Sequence, residues 1–138
     1  MITIRKQEIV KLEDILHLYQ AVGWTNYTNQ PQMLEQALSH SLAIYLALDG
    51  EAVVGLIRLV GDGFSSVFVQ DLIVLPSYQR QGIGRSLMKE ALEDFKEAYQ
   101  VQLATEQTEK NVGFYRSMGF ETLSTYDCTG MTWVNREK

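Results

Sequence analysis

Cysteine is almost absent from this chain: Cys128 stands alone, so no internal disulfide can staple the fold. Histidine is scarce too, and His17 and His40 with one cysteine give no recognisable zinc spacing, so no metal is expected. Long apolar runs are missing. No stretch approaches the ~18 apolar residues that cross a bilayer, and Met1-Ile2-Thr3-Ile4-Arg5-Lys6 lacks the apolar region of a signal peptide. A cytoplasmic protein without a membrane partner is expected. Basic charge is also short, with 12 Lys and Arg against 17 Asp and Glu and a net charge of −5. The basic residues are scattered apart from Arg80 to Arg85, so no nucleic-acid footprint is apparent. Repeats and low-complexity tracts are absent. What remains is 138 residues, read as one domain over 1–138, long enough to bury roughly two thirds of its unfolded surface.

What is present is a regular succession of periodic segments. Ile2 to Arg5 reads as a strand, and Leu12, Ile15, Leu16, Tyr19 and Val22 form the apolar stripe of a helix that Gly23 ends. Trp24 to Gln30 reads as a polar loop with two aromatics, and Pro31 opens a second helix running to about His40. Ala43–Leu48 and Ala52–Val60 are apolar strands joined across Asp49-Gly50, and Gly61-Asp62-Gly63 turns the chain into a third strand over Val67 to Leu75 that Pro76 stops. These three make an antiparallel meander. Leu87, Met88, Ala91, Leu92 and Phe95 then recur at helical spacing. A strand at Gln100–Thr105, a helix at Asn111–Met118 and closing strands at Phe120–Leu123 and Met131–Val134 complete the order.

Between the meander and the long helix lies Gln79-Arg80-Gln81-Gly82-Ile83-Gly84-Arg85-Ser86. Gly82 and Gly84 let the backbone approach an anion without Cβ interference, and the first N–H groups of the helix point at it with the positive end of the dipole. The ordinary alternative is a tight turn before a helix. The segment is neither a Walker A loop, since no Lys-Ser or Lys-Thr follows, nor a dinucleotide fingerprint, since the third glycine is missing. About thirty residues on, Asn111-Val112-Gly113-Phe114-Tyr115-Arg116-Ser117-Met118-Gly119-Phe120 places Asn111 four residues before Tyr115 on one helix face, where amide and phenol can address one ligand. Gly119 reads as the helix cap. The ordinary alternative for Phe114 and Tyr115 is core packing.

The Gln/Arg-x-x-Gly-x-Gly loop and the Phe-Tyr-x-x-x-Gly-Phe segment together resemble the GCN5-related N-acetyltransferase (GNAT) family, with a closer likeness to its plastid and cyanobacterial aralkylamine N-acetyltransferase branch in Gln70–Gln79, Phe114–Glu121 and Gly130–Trp133. The element order β, α, α, β, β, β, α, β, α, β, β resembles that fold from end to end. The resemblance implies an α/β (α+β) GNAT acyl-CoA N-acyltransferase fold: a mixed central sheet of about seven strands with four helices and splayed fourth and fifth strands. A flavodoxin-like fold fits worse, because three strands run consecutively between residues 43 and 75.

The resemblance also implies acetyl-CoA as cosubstrate and a small-molecule or peptide amine as acceptor. Its pantetheine arm would pair with Leu72, Ile73 and Val74, and its pyrophosphate would lie on the N–H groups of Gln81, Gly82, Ile83, Gly84, Arg85 and Ser86. Gln79, Asn111 and Phe114 belong to the same cofactor set, with Arg80 or Arg85 adding charge. In such a site an amine attacks the thioester, an oxyanion develops and a thiolate leaves. Tyr115 is the natural acid, since a phenol stays protonated at pH 7, and N–H groups around Ile73 and Val74 would meet the oxyanion. Where relatives often carry a base, this chain has Phe68 and Gln70. Asp71 becomes the substitute catalytic carboxylate, although in a regular strand it faces away from Gln70 and only a bulge or the splay turns it inward. Glu106 and a water relay stay open as alternatives.

Trp24, Tyr27, Phe64 and Trp133 are possible acceptor walls, and aromatics are more often core. Homodimers through the closing strands are common in the family, and Met131–Val134 would offer the exposed edge. His17 reads as solvated and His40 as a residue favouring a helix end. A second class of function, a non-catalytic acyl-CoA sensor or partner-binding module, fits a chain that kept the cradle without the usual base.

Overall fold

The computed structural model describes residues 1–135. The chain forms two compact units, Met1–Ala104 and Thr105–Lys138. In the first, strand β1 (Ile2–Lys6) is followed by helices α1 (Leu12–Ala21), α2 (Thr25–Thr28) and α3 (Pro31–Ser39). Strands β2 (Ala43–Asp49), β3 (Ala52–Gly61) and β4 (Val67–Val74) come next, then a 3-10 turn (Pro76–Tyr78), helix α4 (Ile83–Asp94) and strand β5 (Val101–Leu103). The second unit holds helix α5 (Glu109–Ser117) and a 3-10 turn at Leu123–Tyr126.

The sheet runs β1-β2-β3-β4-β5, antiparallel throughout except for the parallel pair β4 and β5. Its hairpins follow from turn chemistry. Gly50 adopts φ +64°, as a tight connection between Asp49 and its partner Ala52 requires. Asp62 holds the next turn: its Oδ1 accepts from the N–H groups of Phe64, Ser65 and Ser66 at 2.7, 2.8 and 3.1 Å. With the Ser65 hydroxyl on Oδ2, these bonds keep the Asp62 carboxyl well below the usual carboxylate range.

Because the sheet is covered on both faces, β2 reads as an unbroken apolar run and is buried from Ala43 to Leu48. On one face Ile44, Leu46, Leu48, Leu56 and Ile73 pack with Ile15, Leu18, Tyr19, Leu34 and Leu38 of α1 and α3. On the other lies α4, burying Ile83, Leu87, Met88 and Ala91. Gly55 sits beneath that helix, where an added Cβ would lie 3.3 Å from the Leu87 Cδ1 and 3.1 Å from the Ile73 carbonyl oxygen.

Two register shifts interrupt the ladder. Ala47 pairs with Gly55 but Leu48 with Val53, leaving Val54 as an extra residue in β3. Leu59 pairs with Val69 but Arg58 with Asp71, leaving Gln70 as an extra residue in β4. Each bulge inverts the inward and outward alternation beyond it.

Among the described residues the sheet has five strands, two fewer than the count of about seven expected from the sequence. Residues 120–122 pair with nothing regular, Leu123–Tyr126 coils into a 3-10 turn, and Met131–Val134 joins no ladder. Local polar chemistry favours the turn: the Thr122 hydroxyl lies 3.0 Å from that of Ser124, the Cys128 N–H donates to Leu123 O, and Asp127 takes φ +58°. The helix count rises from four to five because Thr25–Thr28, read as loop, closes one helical turn.

Candidate active site

The junction of β4 and α4 is built from short-range rules. Pro76 ends the strand and opens a 3-10 turn, and the Tyr78 hydroxyl pins that turn to Asp49 Oδ2 at 2.6 Å. Gln79 then donates from Nε2 to the Val74 carbonyl at 3.0 Å, tying the loop back to the strand end. Arg80 takes φ +66° and Gly82 φ +81°, so the chain reverses twice in the left-handed region before the helix begins. Gly82 is the N-cap of α4, and the Ser86 N–H is bonded back to its carbonyl at 3.0 Å. The N–H groups of Ile83 and Gly84 stand in the first turn, where a helix offers no internal acceptor. Ile83 is buried and pegs that turn, while Arg80, Gln81 and Ser86 are exposed and Arg85 is half-buried. Backbone N–H groups gathered at a helix start, in a segment that also carries Arg80 and Arg85, suit an anionic ligand.

The strand leading into this cradle has an edge with no neighbour. β5 pairs with Val67, Phe68 and Val69 only. β4 runs on to Val74, and among the described residues no strand lies beside that continuation on the β5 side. The Leu75 N–H donates to Val54 O across β3. Alternation along an extended strand therefore turns Ile73 toward β3 as well, and turns the peptide groups of Leu72 and Val74 toward the open edge.

Asp71 is 2 % exposed and its carboxylate is fully engaged. Oδ2 accepts from Arg58 Nε at 2.6 Å and from the Tyr19 hydroxyl at 2.8 Å, and Oδ1 accepts from the Tyr27 hydroxyl at 3.0 Å. Arg58, 4 % exposed, also reaches Ser41 Oγ at 3.2 Å and the Tyr27 hydroxyl at 3.4 Å. Gln70 Nε2 meets the same hydroxyl at 3.4 Å from the solvent side. The bulge at Gln70 is what turns Asp71 onto the face of α1 and α2. Burial alone would lower the Arg58 guanidinium, but the Asp71 charge beside it raises it instead. Burial and the Asp71 charge push the Tyr19 and Tyr27 phenols up, so both stay protonated and donate. Tyr19, Trp24 and Tyr27 form an aromatic cluster with centroids 5.2–6.2 Å apart.

In the second unit, Thr108 caps α5 through its side chain, which accepts from the Asn111 N–H at 3.1 Å. Gly119 (φ +99°) lies one residue beyond the C-cap Met118, and its N–H and that of Phe120 bond to Arg116 O and Tyr115 O. This is a Schellman closure. Tyr115 is half-buried between Phe114 and Phe120, with centroids at 5.0 and 6.0 Å, and burial pushes its phenol up. Asn111 and Phe114 are also half-buried, while Glu106 is exposed.

The sequence model of the acetyltransferase (GNAT) domain matches residues 6–135. The chain belongs to the GNAT acetyltransferases. It is 88% identical to a GNAT-family acetyltransferase of Streptococcus pneumoniae TIGR4 of known structure, with a TM-score of 0.91 and coverage of 99% of both chains. It is 28% identical to the chloroplastic GCN5-related N-acetyltransferase 1 of Arabidopsis thaliana over 97% of this chain and 68% of that protein. It is 33% identical to the chloroplastic serotonin N-acetyltransferase 2 of Oryza sativa subsp. japonica over 66% of this chain and 48% of that protein. The chain is an N-acetyltransferase-family enzyme with the mixed GNAT sheet.

The GNAT domain thus brings Leu72–Val74 and Gln79–Ser86 together at one strand end in the first unit, and keeps Asn111, Phe114 and Tyr115 on one helix in the second. Of the aromatics named as acceptor walls, Trp24 and Tyr27 cluster, whereas Phe64 and Trp133 are 83% and 82% exposed. Reasoning from sequence overlooked Arg58 and Tyr19. The available signal was a lone arginine inside the apolar run Leu56–Val60, which must find an anion if buried. His17 is exposed as expected, and its Nε2 lies 2.8 Å from Val53 O. No group of metal-binding side chains occurs among the described residues, and no described helix is long and apolar enough to cross a membrane.

Proposed function

We propose that this single GNAT domain, residues 1–138, transfers an acetyl group from acetyl-CoA to the primary amine of a small molecule or peptide by direct attack on the thioester, in the cytoplasm. The observation that carries the reading is the open edge of β4 at Leu72–Val74 leading straight into the Gly82-headed helix. Acetyl-CoA supplies an acyl group on a good leaving group. Gln81, Gly82, Ile83, Gly84 and Arg85 hold its pyrophosphate, the Ser86 N–H being taken by the Gly82 carbonyl; Arg80 and Arg85 add charge, and Gln79 braces the loop. Leu72, Ile73 and Val74 align the pantetheine arm, and the open-edge N–H groups of Leu72 and Val74, rather than that of Ile73, face the charge that develops on the carbonyl oxygen. Tyr115 donates the proton to the departing sulfur, its phenol being held protonated at neutral pH by burial, and Asn111 and Phe114 belong to the same cofactor set.

Of the three candidate bases, water carries the proposal best. Asp71 already accepts three hydrogen bonds, and its charge is matched by Arg58. We assign it the part of a fixed anion that orients the acceptor side. The aromatic cluster and the plant relative named for serotonin favour an arylalkylamine acceptor. We keep a homodimer through the C-terminal segment as the expected assembly, with Met131 and Trp133 93% and 82% exposed there although among the described residues they form no strand edge; sedimentation showing monomer alone would remove it.

Thiol release from acetyl-CoA against arylalkylamines, polyamines, amino acids and short peptides tests the activity. Tyr115→Phe should lower turnover about 10²-fold or more, and an unchanged rate takes Tyr115 out of the acid role. A second reading, an acyl-CoA sensor without turnover, draws on Phe68, Gln70 and the engaged Asp71. Saturable acetyl-CoA binding with no amine consumed would favour it.

A further inference from the structure

We propose that the hydrogen bond from the Tyr78 hydroxyl to the Asp49 carboxylate positions the loop between β4 and α4 for its ligand, so that Asp49 and Tyr78 set coenzyme A affinity without touching the molecule. The inference rests on the acyl-CoA reading above and concerns how the loop of that site is held.

Sequence separation is the first reason. The Tyr78 N–H donates to Leu75 O at 2.8 Å, the Gln79 N–H to Pro76 O at 3.3 Å and Gln79 Nε2 to Val74 O at 3.0 Å, so each of these bonds joins residues at most five apart. Such bonds shape a turn without fixing where it stands on the sheet. The Tyr78 hydroxyl, by contrast, donates to Asp49 Oδ2 at 2.6 Å across 29 residues of chain. Asp49 is itself fixed. It ends β2, paired with Ile2 of β1 on one side and Ala52 of β3 on the other, and Gly50 at φ +64° turns the chain directly after it. The hydroxyl is therefore moored to a three-stranded ladder. An ionised acceptor makes such a bond shorter and stronger than a neutral one. The bond holds the Asp49 carboxyl below its usual range and the Tyr78 phenol above its own, which keeps one charged and the other protonated at neutral pH.

What the bond holds is a segment that needs holding. Arg80, two residues beyond Tyr78, stands at φ +66°, a conformation that a side-chain-bearing residue keeps only where its surroundings impose it. Gln79, Arg80 and Gln81 are exposed, so packing imposes little there. An anchor directly before Gln79 supplies the constraint. Freed from Asp49, residues 79–82 would sample other conformations, and a ligand would have to order them on binding. The sign of the effect separates positioning from plain electrostatics. By Coulomb's law alone, deleting the Asp49 anion tightens a loop's hold on pyrophosphate. Positioning requires the opposite, because deleting the acceptor releases the loop.

The test uses the full chain and measures coenzyme A by titration calorimetry. Pantetheine, which lacks the pyrophosphate, is titrated into the 15N-labelled protein for comparison. The unsubstituted protein should bind coenzyme A the more tightly. Tyr78→Phe and Asp49→Ala should each weaken coenzyme A about fivefold, on the scale of one hydrogen bond, and leave pantetheine unchanged. The double variant should bind coenzyme A no more weakly than either single, since both remove the same bond. Asp49→Asn drops the charge but keeps an oxygen acceptor, and should restore most of the affinity lost in Asp49→Ala. The proposal falls if Tyr78→Phe binds coenzyme A unchanged, if Asp49→Ala binds it more tightly, or if coenzyme A and pantetheine weaken alike, as a general loss of structure would give. Coenzyme A bound no more tightly than pantetheine by the unsubstituted protein would instead overturn the pyrophosphate-holding loop, and the proposal with it.

Discussion

Replacing Asp71 by leucine should strand the Arg58 charge in the core, and replacing Arg58 by methionine should strand the Asp71 charge. The side chains are 1% and 5% exposed and bonded at 2.6 Å. Removing one member of a pair this deep costs about 3–5 kcal/mol, since the remaining ion loses its counter-charge without regaining water. For a domain of this size roughly 3–4 °C of melting temperature accompanies each kcal/mol, so each single variant should melt about 10–20 °C lower. The double variant Arg58→Met/Asp71→Leu strands no charge. Its cost reduces to the buried Tyr19 hydroxyl left without an acceptor, about 1–3 kcal/mol, while water can serve the half-buried Tyr27. Calorimetric melting of the four proteins should therefore show two harmful substitutions that together harm less than either alone. Additive costs, or a single-variant cost under about 1 kcal/mol as for a surface pair, would refute the buried-network account. Turnover by Asp71→Asn adds a discriminating readout: activity abolished at an unchanged melting temperature would return Asp71 to the role of base.

Gly82→Ala forces a Cβ onto φ +81°, where nothing lies within 4 Å of it; the cost is backbone strain alone, about 1–2 kcal/mol, and calorimetry should show coenzyme A affinity falling with it. Thr108→Ala removes the cap of α5 and should cost about 1 kcal/mol, read as lower local protection of the α5 amides in hydrogen exchange, while β2 and β3 amides keep theirs. The Tyr19, Tyr27 and Tyr45 phenols are raised in the folded protein, chiefly by burial. A raised phenol contributes stability that is fully present below about pH 10, its unfolded value, and is lost as pH climbs through the folded value. Melting temperature should thus fall steeply above about pH 10, and a flat profile there would contradict the buried placement of these rings.

Most of the first unit was legible because its signals are local. Periodicity placed α1 and α3 and the meander β2-β3-β4 within a residue or two, and glycines at 50 and 82 marked turns that need positive φ. The closing strands were not legible, for the reason that a strand is a property of a pair. Met131-Thr132-Trp133-Val134 alternates like a strand, yet among the described residues no edge pairs with it, and Thr122 and Ser124 already favour a turn.

The loop that turns β4 into α4 could be read because glycine spacing and a helix start lie on one continuous segment. Asp71 could not, because its direction depends on a neighbour. Alternation from Val69 would place it on the α4 face; the extra residue at Gln70 inverts that phase and delivers it to Arg58, Tyr19 and Tyr27. A register shift of this kind is decided by cross-strand pairing and leaves no mark within β4 itself. What the chain does disclose is the demand for it. Arg58 lies in an apolar strand buried on both faces, and such a cation is tolerable only with an anion from another strand. Asp71 is the one carboxylate on β4, so pairing the two requires the strand to skip a residue between the Val69 and Asp71 contacts, and the residue skipped is the one left facing solvent beside Tyr27.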